Sequence, residues 1–326
     1  MRRAFLICLA ALAVPAFAAP PPDWRLTRSE HFEVYAQIPD RQALAILTWL
    51  EQLRAFFDPQ GTLATASPPV RVIVFASEQE YQPYRLRPTS DAYYVGAPSQ
   101  DYIVMGSDDP AKFGRAAHEY AHLALRAAGL KLPPWLTEGL AEFYATLHVG
   151  QRVELGGAIP GRVRVLRTGR WMPLAELVTI PEDRREQEER AQAEMFYSES
   201  WALAQMLATS PVYAAGFRKL VARLEGGDAS ILAFTVVYGK TPEAIERDLH
   251  RWVDQASQPL VDLPELRPAA PRVQVSAVTP LESRVLLAKL LLAAGEYDRA
   301  EPRFTALARE APRIPEVFVA LGTIAL

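Results

Sequence analysis

The sequence has one cysteine in 326 residues, Cys8. That excludes an internal disulfide framework, and it requires any bound metal to be held by imidazole and carboxylate rather than thiolate. Net charge is also scarce: a formal −3 and a pI near 6.0 leave no long-range field to gather nucleic acid or acidic lipid. No glycine-rich phosphate loop and no interleaving of aromatic and basic residues is present, so neither a nucleotide cradle nor a nucleic-acid groove is expected. Long apolar runs are missing too. The only candidate, Ala4 to Val14, is shorter than the roughly 20 residues needed to span a bilayer.

That run follows Arg2 and Arg3 and precedes Ala16-Phe17-Ala18 and Pro20 to Pro22, the pattern of a signal peptide over residues 1–18. An uncleaved anchor is the alternative reading, and the paired arginines suit either a twin-arginine or a general secretory route. Cys8 lacks the residues that precede a lipid-attachment cysteine. An exported, periplasmic or secreted protein with no stable membrane span is therefore expected. Half the residues are apolar and 22% are charged, which suffices for one large domain and something smaller.

Periodicity predicts strands over 31–36, 70–76, 92–95 and 102–105, with a helix over 41–57 between the first two. From Pro110 the pattern turns helical. Asp109 can cap, Pro110 suits a first turn, and Gly129 stands where a helix over 110–128 would stop. Further helices are predicted over 135–147, 196–208, 212–224 and 242–255, with a hairpin over 152–168. The charged stretch 183–194 reads as a solvated helix or flexible loop. The order implies an α+β domain over 24–255, sheet first and helices after. Residues 256–280, rich in proline, read as a linker. Over 281–326, Ala288, Gly295, Tyr297, Ala300, Phe304 and Pro312 fall at tetratricopeptide spacing, and Phe318, Leu321 and Gly322 resemble the start of a further unit. Such an array, truncated at Leu326, would bind a protein partner; a helical hairpin docked on the preceding domain is the alternative.

The chemistry gathers at His118-Glu119-Tyr120-Ala121-His122. Residues four apart share a helix face, so two imidazoles can meet one zinc ion while Glu119 points toward a substrate. Zinc with three protein ligands leaves a position for water, and Glu119 would be the base that takes its proton. Next comes Trp135-Leu136-Thr137-Glu138-Gly139-Leu140-Ala141-Glu142, where Glu138 and Glu142 again lie four apart. One can bind and the other support a ligating histidine. His31, His148 and His250 lack metal spacing and are expected to be structural.

Paired in this way, the two segments resemble the gluzincin metallopeptidases, in particular the bacterial peptidase MA-like group, over residues 24–255. The resemblance implies a thermolysin-like fold, one zinc ion held by His118, His122 and Glu138, Glu119 as general base, and Glu142 behind the ligands. It also implies that Tyr197, within Phe196-Tyr197-Ser198-Glu199-Ser200-Trp201, donates to the oxyanion. Asp101, Tyr102, Ile103, Val104 and Met105 would be the edge strand that receives an extended peptide. The aminopeptidase segment Gly-Ala-Met-Glu-Asn is missing, so an endopeptidase acting on peptide or protein is expected. The alternatives are a repeat scaffold with a weak or partner-restricted peptidase domain, and a zinc hydrolase of a non-peptide amide.

Overall fold

Six strands form the floor of the molecule. In a computed structural model, described for residues 23–58, 68–87, 90–106, 113–149, 153–181, 190–255, 260–263 and 271–325, the chain begins with β1 (Arg25–Arg28), β2 (Phe32–Ala36), α1 (Asp40–Phe57), β3 (Val70–Val74) and α2 (Glu78–Tyr81). A hairpin of β4 (Ala92–Gly96) and β5 (Asp101–Met105) leads to α3 (Phe113–Ala127) and α4 (Pro134–Tyr144). Two short strands, β6 (His148–Val149) and β7 (Val153–Leu155), precede α5 (Pro160–Thr168), α6 (Leu174–Leu177), α7 (Arg190–Thr209), α8 (Ala214–Glu225), α9 (Ser230–Tyr238) and α10 (Pro242–Val253). Strands β8 (Val261–Leu263) and β9 (Gln274–Ala277) and helices α11 (Pro280–Ala293), α12 (Tyr297–Glu310) and α13 (Pro315–Ile324) complete the chain. The architecture is mixed α/β, compatible with the expected α+β order.

The sheet runs β4-β5-β3-β2-β1-β9. β2, β3 and β5 are parallel, and the outer pairings are antiparallel. Side chains alternate between the faces. Val72, Val74, Ile103 and Met105 join the core shared with α1 and α3, whereas Ile73, Phe75, Tyr102 and Val104 face Leu286, Leu287 and Leu290 of α11. With both faces covered, the central strands are apolar throughout, which explains the β-branched runs that betrayed them.

The expected substrate edge, Asp101–Met105, is not an edge. β5 is paired to β3 on one side and to β4 on the other, because the chain turns back at 97–100 and covers it. Among the described residues the free edge on this side is β4. Ala97 and Gln100 exchange both backbone hydrogen bonds, and Gly106 N–H donates to Asp91 C=O. The antiparallel alternation therefore turns the N–H and C=O groups of Ala92, Tyr94 and Gly96 outward.

Two other expectations change. The hairpin predicted over 152–168 forms instead between His148–Val149 and Val153–Leu155, and Pro160 starts helix α5, where its fixed φ suits the first turn. The stretch 256–280, expected as a linker, pairs at two points: β8 extends the small sheet through β7, and β9 extends the large one through β1. Helix α9 and strand β1 had not been anticipated.

The last three helices share a core of Ala288, Leu291, Ala300, Phe304, Leu307, Val317 and Ala320. The opposite side of α11 packs on the sheet through Leu286, Leu287 and Leu290, and Arg299 donates to the carbonyls of Pro83 and Arg85. The three helices are thus docked on the sheet. Residues 1–18, expected as a signal peptide, Asp109, expected as a cap, and most of the charged stretch 183–194 lie outside the described residues. Among the described residues no helix is long and apolar enough to cross a membrane.

Candidate metal centre

Helix α3 is amphipathic around its axis: Ala116, Ala117, Tyr120, Ala121 and Ala124 are buried against the sheet and α1, which leaves His118, Glu119 and His122 half-buried on the opposite side. It ends where expected, at Gly129, whose φ of 71° is the left-handed conformation that closes a helix without a Cβ penalty. Helix α4 starts at Pro134, in the first turn. It is pinned by Trp135, which donates its indole N–H to Ser230 Oγ of α9 at 3.0 Å inside the core. Its close neighbour is α7, which is buried from Ser198 to Leu207. A Cβ added to Gly139 would lie 2.3 Å from the Ser200 carbonyl oxygen, so glycine is what lets the two helices touch.

These placements deliver Glu138, 9% exposed, to the two imidazoles. His118 Nε2 and His122 Nε2 are 3.1 Å apart, and Glu138 Oε2 lies 3.4 Å from the first and 3.6 Å from the second. The three atoms form a small triangle among residues that could hold a metal ion. Bonds of ~2.0–2.1 Å in a tetrahedral site require ligand atoms about 3.3 Å apart, so the triangle is compatible with zinc. Of the two carboxylates left open by the sequence, Glu138 belongs to this group and Glu142 stands behind it, with Oε1 3.6 Å from His118 Nδ1.

The charges are strongly coupled. Burial opposes an imidazolium at His118, but the Glu138 hydrogen bond and the nearby Glu119, Glu142 and Glu138 charges outweigh it and lift the pKa to about 9. Burial likewise opposes ionisation of Glu138, yet both histidines together hold it well below the ordinary carboxylate range. A cation entering the group would take the place of the His118 proton beside the Glu138 carboxylate.

Tyr197, on α7, is half-buried, with the Arg162 guanidinium over its ring, 5.3 Å from the centroid. Arg162 also grips Glu142, Nη2 to Oε1 at 2.5 Å and Nε to Oε2 at 3.2 Å. Sequence reasoning missed this arginine. It lies on α5, in the segment read as a hairpin, and nothing in its local spacing marks it.

The remaining histidines stay outside the site. His31 Nδ1 is 2.9 Å from Glu51, His250 stacks on Trp171 with ring centroids 4.0 Å apart, and His148 lies in β6. Compared with known proteins, the chain matches no model of a protein family and no curated protein.

Proposed function

We propose that this protein is a zinc-dependent endopeptidase of gluzincin type, exported to the cell envelope or beyond. The observation that carries the reading is the triangle of His118 Nε2, His122 Nε2 and Glu138 Oε2, with sides of 3.1, 3.4 and 3.6 Å, on a helix that also presents Glu119. Its dimensions suit one zinc ion, and three protein ligands would leave the fourth position of a tetrahedral ion to water. Zinc there supplies Lewis acidity, polarising a carbonyl and lowering the pKa of a water to about 7.

The chain's own groups do the rest. Glu119 accepts a proton from the attacking water and returns it to the amine as the C–N bond breaks. Tyr197 donates a hydrogen bond to the oxygen on which charge develops. The substrate lies extended along β4 rather than β5, since Ala92, Tyr94 and Gly96 offer the outward N–H and C=O groups that an added strand needs. The C-terminal helices, in tetratricopeptide-like spacing, provide the second surface, one for a protein partner.

The experiment is a comparison of the zinc-loaded protein with its Glu119→Gln variant on a mixture of peptides and envelope proteins. Equal zinc content with cleavage only by the parent supports the proposal. Absence of cleavage by both would remove the peptidase reading, and loss of zinc from neither His118→Ala nor Glu138→Ala would remove the metal centre itself.

A further inference from the structure

Arg162 touches two parts of the site, one on α4 and one on α7. On one side its guanidinium makes a two-point contact with Glu142, at 2.5 and 3.2 Å. Glu142 in turn faces His118 Nδ1 at 3.6 Å, the ring nitrogen opposite the one turned to Glu138 and His122. On the other side it covers the Tyr197 ring. Both charged side chains are largely withdrawn from water, 15% exposed for Arg162 and 7% for Glu142. The contact is therefore neither screened nor interchangeable with solvent, as a surface pair would be.

We infer that Arg162 is a positioning residue that sets the metal ligand His118 and the oxyanion donor Tyr197 in one geometry, acting through Glu142 on the first and through its cation–π contact on the second. The inference rests on the peptidase reading for Tyr197 but not for His118, where metal binding alone reports it. The chemistry favours arginine specifically. A planar fork can donate to both Glu142 oxygens along one edge while its charge stays over an aromatic ring, and a lysine ammonium cannot make the two-point contact. A carboxylate behind a ligating histidine fixes which nitrogen carries the proton and how the ring is turned. Here Arg162 fixes that carboxylate in its turn. Residues 20 positions apart, on α4 and α5, are thereby joined with α7 by one side chain.

The test uses the full chain with Arg162→Gln, Arg162→Lys, Glu142→Gln and Tyr197→Phe. Zinc affinity is measured on metal-stripped protein by chelator competition, and cobalt substitution reports the ligand field by its visible spectrum. Arg162→Gln should weaken zinc binding about 10- to 100-fold and change the cobalt spectrum. Combined with Glu142→Gln it should cause little further loss, because the two act in series. At saturating zinc, kcat should fall with KM little changed, again without adding to the effect of Tyr197→Phe. Arg162→Lys should recover part of the affinity and little of kcat. If the glutamine variant does not fold, the lysine variant decides.

Wild-type zinc affinity, cobalt spectrum and kcat in a folded Arg162 variant would overturn the inference, as would effects that add fully to those of Glu142→Gln. A parent protein that binds zinc but cleaves nothing would count against the peptidase reading alone, and the affinity and cobalt measurements would still decide the Arg162–Glu142–His118 half.

Discussion

Gly139 lies against the main-chain oxygen of Ser200, with room for a hydrogen and no room for a methyl group. Glu138 is the adjacent residue, so the contact that brings α4 onto α7 also sets how far the carboxylate reaches toward His118 and His122. Gly139→Ala would place a carbon 2.3 Å from that oxygen and 2.8 Å from Ala204 Cβ. Overpacking of this kind costs about 1–3 kcal/mol, and urea denaturation should show a loss of that size. Zinc affinity should drop as well. A variant as stable as the parent would mean that the two helices separate freely.

Tyr197→Phe removes a hydroxyl and keeps the ring under Arg162. Turnover should fall about 10²- to 10³-fold, the usual effect of losing one oxyanion donor. Zinc content and thermal stability should stay unchanged. Unaltered turnover would assign Tyr197 to packing.

Glu199 gives the protein an alkaline weakness. Its side chain is buried on α7, and burial pushes its pKa up to about 8; the Met172 N–H that it accepts works the other way, and the Glu246 and Glu176 charges add to the rise. In the folded state it keeps a proton that the unfolded chain releases above the ordinary value of 4.5. Stability contributed by this group is therefore full at low pH, declines as pH rises from that value to about 8, and is level beyond. The slope from one such group is at most about 1.4 kcal/mol per pH unit. Glu199→Gln should flatten the curve, measured by denaturation at several pH values. Parallel curves for the two proteins would refute it.

The C-terminal helices should behave as part of the main body. Leu290 is fully buried between α11 and the sheet, whereas Val319 on α13 is 68% exposed. Leu290→Ala is expected to cost about 2–5 kcal/mol and Val319→Ala within about 0.5 kcal/mol. Removing residues 280–326 would uncover Ile73, Phe75 and Val104 and should yield aggregate rather than a soluble fragment. Recovery of a soluble, metal-binding fragment would mean that this docking is dispensable.

Much of this was legible because it depends on local pattern. His118 and His122 share a helix face by spacing alone, Gly129 ends the helix by its backbone freedom, and the central strands declare themselves by β-branched runs. What escaped depends on partners distant in sequence. Gln274 to Ala277 alternates polar and apolar residues over only four positions, all of them exposed, inside a stretch read as a linker, and it becomes a strand because β1 offers an edge. Arg162 acquires meaning only when α5 packs on α7. The choice of β5 as the substrate edge failed for a related reason. The resemblance points to the strand just before the motif helix, whereas pairing with β3 on one side and β4 on the other puts that strand inside the sheet, and which neighbours a strand gains is not written in its own residues.

The pairing of β1 with β9 has a topological consequence. Residues far apart in sequence lie side by side, Arg25 opposite Ala277 and Arg28 opposite Gln274. Covalent continuity between Leu263 and Gln274 is thus not what keeps the last helices in place. A protein nicked there should copurify as two associated pieces.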